Sequence, residues 1–168
     1  MTDTVASAAD ADAAAPTAAG PPPTLLTHIA LPVRSLDDTL AFYEKFTTLV
    51  RISERHDPDT KMRTVWLANE RDITKPGAAR FVIVLMEGAL PKQITGDIVE
   101  EYGFLTSIAH LGISLDSRDE VDEVARRAAE DGCLVLGPMY RNPDVGYICL
   151  IKDPDGNNVE FSVEQVLG

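Results

Sequence analysis

Asp153-Pro154-Asp155-Gly156-Asn157-Asn158-Val159-Glu160-Phe161 reads as a turn that opens into a strand. Proline presets φ, the aspartate side chains bond nearby backbone, and glycine accepts positive φ. Upstream, Gly146 to Ile151 is strand-like. Downstream, Val159, Phe161 and Val163 alternate with Asn158, Glu160 and Ser162, the period of a strand. Glu160 therefore stands on the face opposite the aliphatic residues. A lone carboxylate there is ordinarily just solvated, so the question is what else shares its face.

Two earlier stretches supply an answer. In His28-Ile-Ala-Leu-Pro-Val33, His28, Ala30 and Pro32 alternate with Ile29, Leu31 and Val33. In His110-Leu-Gly-Ile-Ser-Leu115, His110, Gly112 and Ser114 alternate with Leu111, Ile113 and Leu115. Each is followed by a capping serine and an amphipathic helix. Ser35 precedes Leu36–Phe46, with Asp37 and Asp38 in the first turn, where the helix dipole favours them. Ser117 precedes Arg118–Glu130, with Val121, Val124, Ala125 and Ala128 on the buried side and Gly132 as the stop.

In all, eight strands are expected, at 25–33, 49–54, 62–68, 80–87, 106–115, 133–136, 145–151 and 157–164, with 55–60 a loop. Strand–helix–strand–strand–strand thus occurs twice, and a repeat of this kind dictates the fold. The expected class is α+β, two βαβββ modules paired into a cup-shaped eight-strand sheet. Residues 24–168 form one domain: module 1 is 24–87, a linker or flap is 88–104, and module 2 is 105–168. A short helix through Ile94, Ile98 and Val99 is one form the flap could take. Residues 1–23 are rich in Ala and Pro and are read as a disordered tail. They lack the basic start and apolar stretch of a secretory signal.

Composition narrows the partners. The 168 residues carry a formal charge of −12, which opposes nucleic acid and anionic membrane. No apolar run approaches the ~20 residues of a spanning helix. Cys133 and Cys149 sit in strand-like runs and are expected as buried free thiols. A cytoplasmic protein with a small-molecule substrate is the expectation.

If the two modules face one another, His28, His110 and Glu160 converge in the cup. A single strand histidine is usually a satisfied core or surface residue; the repetition argues for more. Neutral imidazole and carboxylate suit a divalent first-row ion, and three ligands leave positions open to water and substrate. His56, in a polar stretch, is expected to be exposed.

The chain resembles the vicinal oxygen chelate superfamily, which includes glyoxalase I, fosfomycin-resistance thiol transferases, methylmalonyl-CoA epimerase, extradiol dioxygenases and bleomycin-resistance proteins. The resemblance spans about 25–164. It rests on His28-Ile-Ala-Leu-Pro-Val with Leu40-Ala-Phe-Tyr-Glu-Lys, on His110-Leu-Gly-Ile-Ser-Leu, and on Asp153-Pro-Asp-Gly-Asn-Asn-Val-Glu. It implies one divalent ion (Ni, Zn, Mn or Fe) held by His28, His110 and Glu160, with Glu160 also catalytic. It further implies substrates that chelate the ion through adjacent oxygens, and a homodimer. The implied activity is a glyoxalase I-like (lactoylglutathione lyase-like) lyase or isomerase. The alternatives are a ring-cleaving dioxygenase or thiol transferase on the same ligands, and a non-enzymatic drug-binding resistance protein.

Glyoxalase I carries a further glutamate on the fourth strand of its first module. Here that strand, aligned with the last, puts Val84 opposite Glu160, and Glu87 falls on the other face. Trp66, Thr64, Val84, Met86 and Tyr147 are expected to line the pocket, Cys149 could line it beside Tyr147, and Arg141 is the expected anchor for a substrate carboxylate.

Overall fold

The computed structural model describes residues 25–73, 81–89 and 102–166. The expected tail and most of the expected flap, including its helix, lie outside the described residues.

Module 1 comprises β1 (His28–Val33), α1 (Leu36–Phe46), β2 (Leu49–His56), β3 (Arg63–Asn69), a single helical turn α2 (Glu70–Ile73) and β4 (Val82–Glu87). Module 2 comprises β5 (Leu111–Ser114), α3 (Arg118–Glu130), β6 (Leu134–Tyr140), β7 (Tyr147–Lys152) and β8 (Asn158–Val163). The eight strands divide between two four-stranded sheets, ordered β1-β4-β3-β2 and β5-β8-β7-β6. In each, the first strand of the module runs parallel to the last, and the other pairings are antiparallel. These are the paired βαβββ modules expected from the repeat.

Both long helices begin and end where the sequence places them. Ser35 accepts from the Asp38 amide. Ser117 accepts from the Glu120 amide while the Glu120 carboxylate reaches back to the Ser117 amide, a complete capping box. Strands differ more. β2 extends through Arg55 and His56, because both pair with β3. β6 continues past the Gly137-Pro138 pair to Tyr140, with register shifts that absorb the break. β5 is short, since Ser107 and Ile108 form a turn just ahead of it. α2 carries no apolar periodicity and was not expected.

One face of each sheet is dry. In module 1, Leu31, Val33, Val65, Leu67, Ile83 and Leu85 meet Leu36, Leu40 and Tyr43 of α1. In module 2, Cys149, Ile151, Val159 and Phe161 meet Val121, Val124, Ala125 and Ala128 of α3. The small Ala125 and Ala128 let α3 lie close upon its sheet. A fully buried aromatic such as Phe161 contributes on the order of 3–5 kcal/mol against truncation to alanine.

The Asp153–Asn157 turn joins the modules. Gly156 takes φ 91°, which closes the turn. Asp153 accepts from the Asp155 and Asn157 amides at 3.0 and 2.8 Å, and from Asn157 Nδ2 at 2.9 Å. Asp155 then leaves its own module. Its Oδ1 accepts from the Arg34 amide at 2.9 Å and Arg34 Nε at 3.0 Å, and its Oδ2 from the Thr39 hydroxyl at 3.0 Å. Tyr43 donates to Asp153 at 3.4 Å. Burial pushes the Asp153 carboxyl above its ordinary value, and burial together with the Asp153 charge does the same to the Tyr43 phenol. Lys45 and Asp131 form an ion pair between the helix ends, and Arg127 donates to the Lys45 carbonyl at 2.7 Å. The modules therefore meet through α1, this turn and α3, while the second face of each sheet points elsewhere.

Candidate metal centre

Strand pairing decides what shares that second face. In module 2, β5 and β8 place Gly112 beside Glu160 and Leu111 beside Val159. Val159 and Phe161 are fully buried under α3, so Glu160 stands on the other side with His110 and Gly112. Its side chain is 8% exposed, and Oε2 lies 3.7 Å from His110 Nε2. Its other oxygen accepts one long bond, 3.4 Å, from Gln165 Nε2.

His110 is held in a defined orientation. Its Nδ1 lies 2.7 Å from the Ile108 carbonyl, which can only accept. Nδ1 therefore carries a proton, and Nε2 is the ring nitrogen turned toward Glu160 and left to coordinate. Asn158 secures the approach: its Nδ2 donates to the carbonyls of Ser107 and Ala109, and its amide donates to the Leu105 carbonyl. Asn157 Oδ1 accepts from the Leu105 amide at 3.0 Å. The two asparagines before Glu160 thus dock the run that delivers His110. Ile108, Asn157, Asn158 and Gln165 were not singled out from sequence. A carbonyl acceptor leaves no trace in residue type, and the asparagines read there only as the opening residues of the last strand.

The pair fits a divalent ion. Two ligand atoms at about 2.1 Å from a tetrahedral ion lie roughly 3.4 Å apart, close to the spacing seen. A buried carboxylate with one long hydrogen bond has acceptor capacity to spare, and Nε2 is the imidazole nitrogen that a cation would take. Cation binding would satisfy both.

In module 1, Ala30 pairs with Val84 as Gly112 pairs with Glu160, and His28 pairs with Val82. Val84 accordingly occupies the position that Glu160 has in module 2. Glu87 pairs with Val33 and turns to the helix side, where it accepts from the Leu36 amide at 2.8 Å and Arg63 at 3.3 Å. It caps α1. His28 is exposed, with Nδ1 2.9 Å from the Thr27 hydroxyl.

The rest of the expected lining separates by face. Thr64 pairs with Met86 and Trp66 with Val84, so Thr64, Trp66, Val84 and Met86 share the His28 face. Tyr147 does not share the Glu160 face. It pairs with Val163, and its hydroxyl donates to Asp122 of α3 at 2.6 Å, a bond that raises its pKa. Cys149 pairs with Phe161 on the same helix side, and burial pushes its thiol up to about 12. Arg141 lies at the β6–β7 hairpin, exposed, with one nitrogen 3.8 Å from Met139 Sδ. Cys133 and Cys149 are free thiols.

Within one chain, among the described residues, no three His, Cys, Asp or Glu side chains cluster so as to hold an ion. His110 and Glu160 come together; His28 does not join them there.

Residues 25–161 match the Glyoxalase/Bleomycin resistance protein/Dioxygenase superfamily, and the chain belongs to that superfamily. Among individual proteins, Uncharacterized protein PA2024 of Pseudomonas aeruginosa is 42% identical over 144 residues, covering 85% of this chain and 91% of that protein. The fosfomycin resistance protein FosX of Listeria monocytogenes has a similar structure: TM-score 0.60, 21% identity, 86% of this chain and 95% of that one. Glyoxalase I of Zea mays gives TM-score 0.60 at 22% identity, over 81% of this chain and 43% of that one. A FosX mutant has been solved with Mn(II) and 1S,2S-dihydroxypropylphosphonic acid, at TM-score 0.58 and 21% identity over 86% of this chain and 94% of that one. These structural likenesses are likenesses of fold. No described helix is long and apolar enough to cross a membrane.

Proposed function

We propose that the protein is a divalent-metal-dependent enzyme of the glyoxalase I-like kind, a lyase or isomerase acting on a small substrate with two adjacent oxygens. The observation that carries this is the His110–Glu160 pair, 3.7 Å apart, with the imidazole tautomer set by the Ile108 carbonyl. His28 is the third ligand in this reading. Since one chain does not gather all three, His28 of one subunit is taken to meet His110 and Glu160 of the other. A two-fold homodimer then builds two equivalent sites, because the same contact is made in both directions.

A divalent ion bound there supplies Lewis-acid polarisation of adjacent substrate oxygens. Glu160 binds the ion and is the group able to carry a proton at Oε1 or Oε2. Val84 offers neither function, so proton transfer depends on Glu160 alone. Thr64, Trp66 and Met86 exclude water on the facing wall. The reading places the protein in the cytoplasm, in keeping with its free thiols.

A second reading is favoured by Val84: addition or transfer chemistry on a three-ligand site, with no second carboxylate on the substrate. Calorimetric titration with Ni, Zn, Mn and Fe(II), paired with sedimentation, tests what the two readings share. One ion per subunit in a dimer is expected; an apoprotein indifferent to all four metals returns the chain to the metal-free resistance proteins. Turnover of methylglyoxal with glutathione, lost in His110→Ala, selects the lyase. Oxygen uptake with a catechol under Fe(II) selects a dioxygenase instead.

A further inference from the structure

Charge is treated differently on the two faces of the module 1 sheet. On the helix side both arginines among the described strand residues are paired. Arg51 meets Glu44 at 3.5 Å and Glu54 at 3.0 Å, and Arg63 meets Asp37, Glu54 and Glu87 at 3.1 to 3.5 Å. Arg55 sits on the opposite face: it pairs with Thr64, which pairs with Met86. Among the described residues it makes no ion pair. Its guanidinium instead lies 5.1 Å from the centroid of the Trp66 ring. At that distance the ring holds the guanidinium by cation–π attraction, and no carboxylate among the described residues takes its N–H groups.

We infer that Arg55, held on Trp66, grips a carboxylate or phosphonate at the far end of the substrate from the metal-chelating oxygens. This rests on the reading of that face as one wall of the site. Three observations support it. The protein carries a formal charge of −12, so an arginine left without a carboxylate stands out against the chain's excess of acid. It occupies the wall that also presents His28, Val84 and Met86. The Trp66 ring that its guanidinium covers also implies a length. Trp66 is two strands and two residues from His28, and at ~4.8 Å per strand and ~3.3 Å per residue this is roughly 12 Å. The fitting substrate is an extended organic anion whose charged end lies about 10 Å from its reacting end, a span that simple ketoaldehydes lack. Arg141, the arginine expected for this task, lies on the other module.

Trp66 is the chain's one tryptophan, so its emission reports on this spot directly. The metal-free protein is titrated with glutathione, glutathione diethyl ester and phenylphosphonate. A saturable change with glutathione or phenylphosphonate, and none with the diester at the same concentrations, is expected. Arg55→Gln should weaken the anion about tenfold or more, the strength of a charge-assisted bond, and Arg55→Lys by less. Zn affinity, measured separately by calorimetry, should be unchanged in both variants. If neither anion saturates, if the diester binds as well, or if Arg55→Gln stays within twofold of wild type, the assignment is wrong. Zn binding alongside such a result leaves the metal reading standing, whereas absent Zn binding alongside an Arg55-dependent anion site removes that reading and keeps this one.

Discussion

The two modules are built on one plan and differ at one decisive place. In both, a histidine stands at the head of the first strand, His28 opening β1 and His110 just preceding β5, and that strand runs parallel to the last and feeds a helix capped by serine. The residue beside Gly112 is Glu160, whereas the residue beside Ala30 is Val84. In the proposed site, module 2 would supply two of the three ligands, and module 1 a histidine, an apolar wall and the Arg55–Trp66 pair. The backbone tolerates either arrangement, because the position points away from the helix that stabilises each sheet. Duplication supplies a symmetric frame, and substitution on the face not needed for folding divides the tasks.

The largest effects should come from the ligand residues, and their pattern tests the asymmetry. Glu160→Ala and His110→Ala are each expected to lower Zn affinity by more than 100-fold, since loss of an outer-shell partner alone costs about 10- to 100-fold. His28→Ala should follow them only in the dimer. Calorimetry at concentrations above and below subunit dissociation checks this. Equal affinity for metal in wild type and His28→Ala would leave module 1 outside the site.

Next is the joint between the modules. Asp155→Ala deprives Arg34 and the buried Thr39 hydroxyl of their acceptor, which should cost about 2–4 kcal/mol of unfolding free energy. Urea unfolding measures it, and a single transition in wild type that splits in the variant would show that the turn couples the modules. Asp153 adds a pH signature. Its carboxyl is raised in the folded state by burial, so folding favours the protonated form. The stability it contributes is complete below the ordinary aspartate value and is lost as pH rises to the raised one. In Asp153→Asn that slope should vanish.

A smaller change tests whether module 1 can be made like module 2. Val84→Glu puts a carboxylate where Glu160 has its own. Zn affinity should rise by roughly tenfold, one further charged ligand, if the Val84 wall truly faces the His110–Glu160 pair. Affinity unchanged in a folded variant would place that wall elsewhere. Smallest are the caps. Ser117→Ala breaks a reciprocal box and Ser35→Ala a single bond, so both should cost about 0.5–2 kcal/mol, the former more. Thermal unfolding resolves the pair.

The sequence alone determined the features that depend on residues close together in the chain. The helices Leu36–Phe46 and Arg118–Glu130 were readable, because their caps and apolar spacing lie within a few positions. The strand period placed His28 and His110 on the solvent side of their strands, Glu160 opposite Phe161, and Val84 in the place of a second carboxylate. Tertiary structure alone decided what depends on partners distant in sequence. Pairing with Arg63 and Thr64 drew His56 and Arg55 out of an expected loop and into β2. The ladder to Val163 turned Tyr147 onto Asp122 and away from the pocket. The Asp155 contacts to Arg34 and Thr39 fixed which sides of the modules meet, and so which faces were left for a ligand. The period of a strand is a property of its own backbone; its register and its neighbours come from hydrogen bonds that close only when remote segments meet.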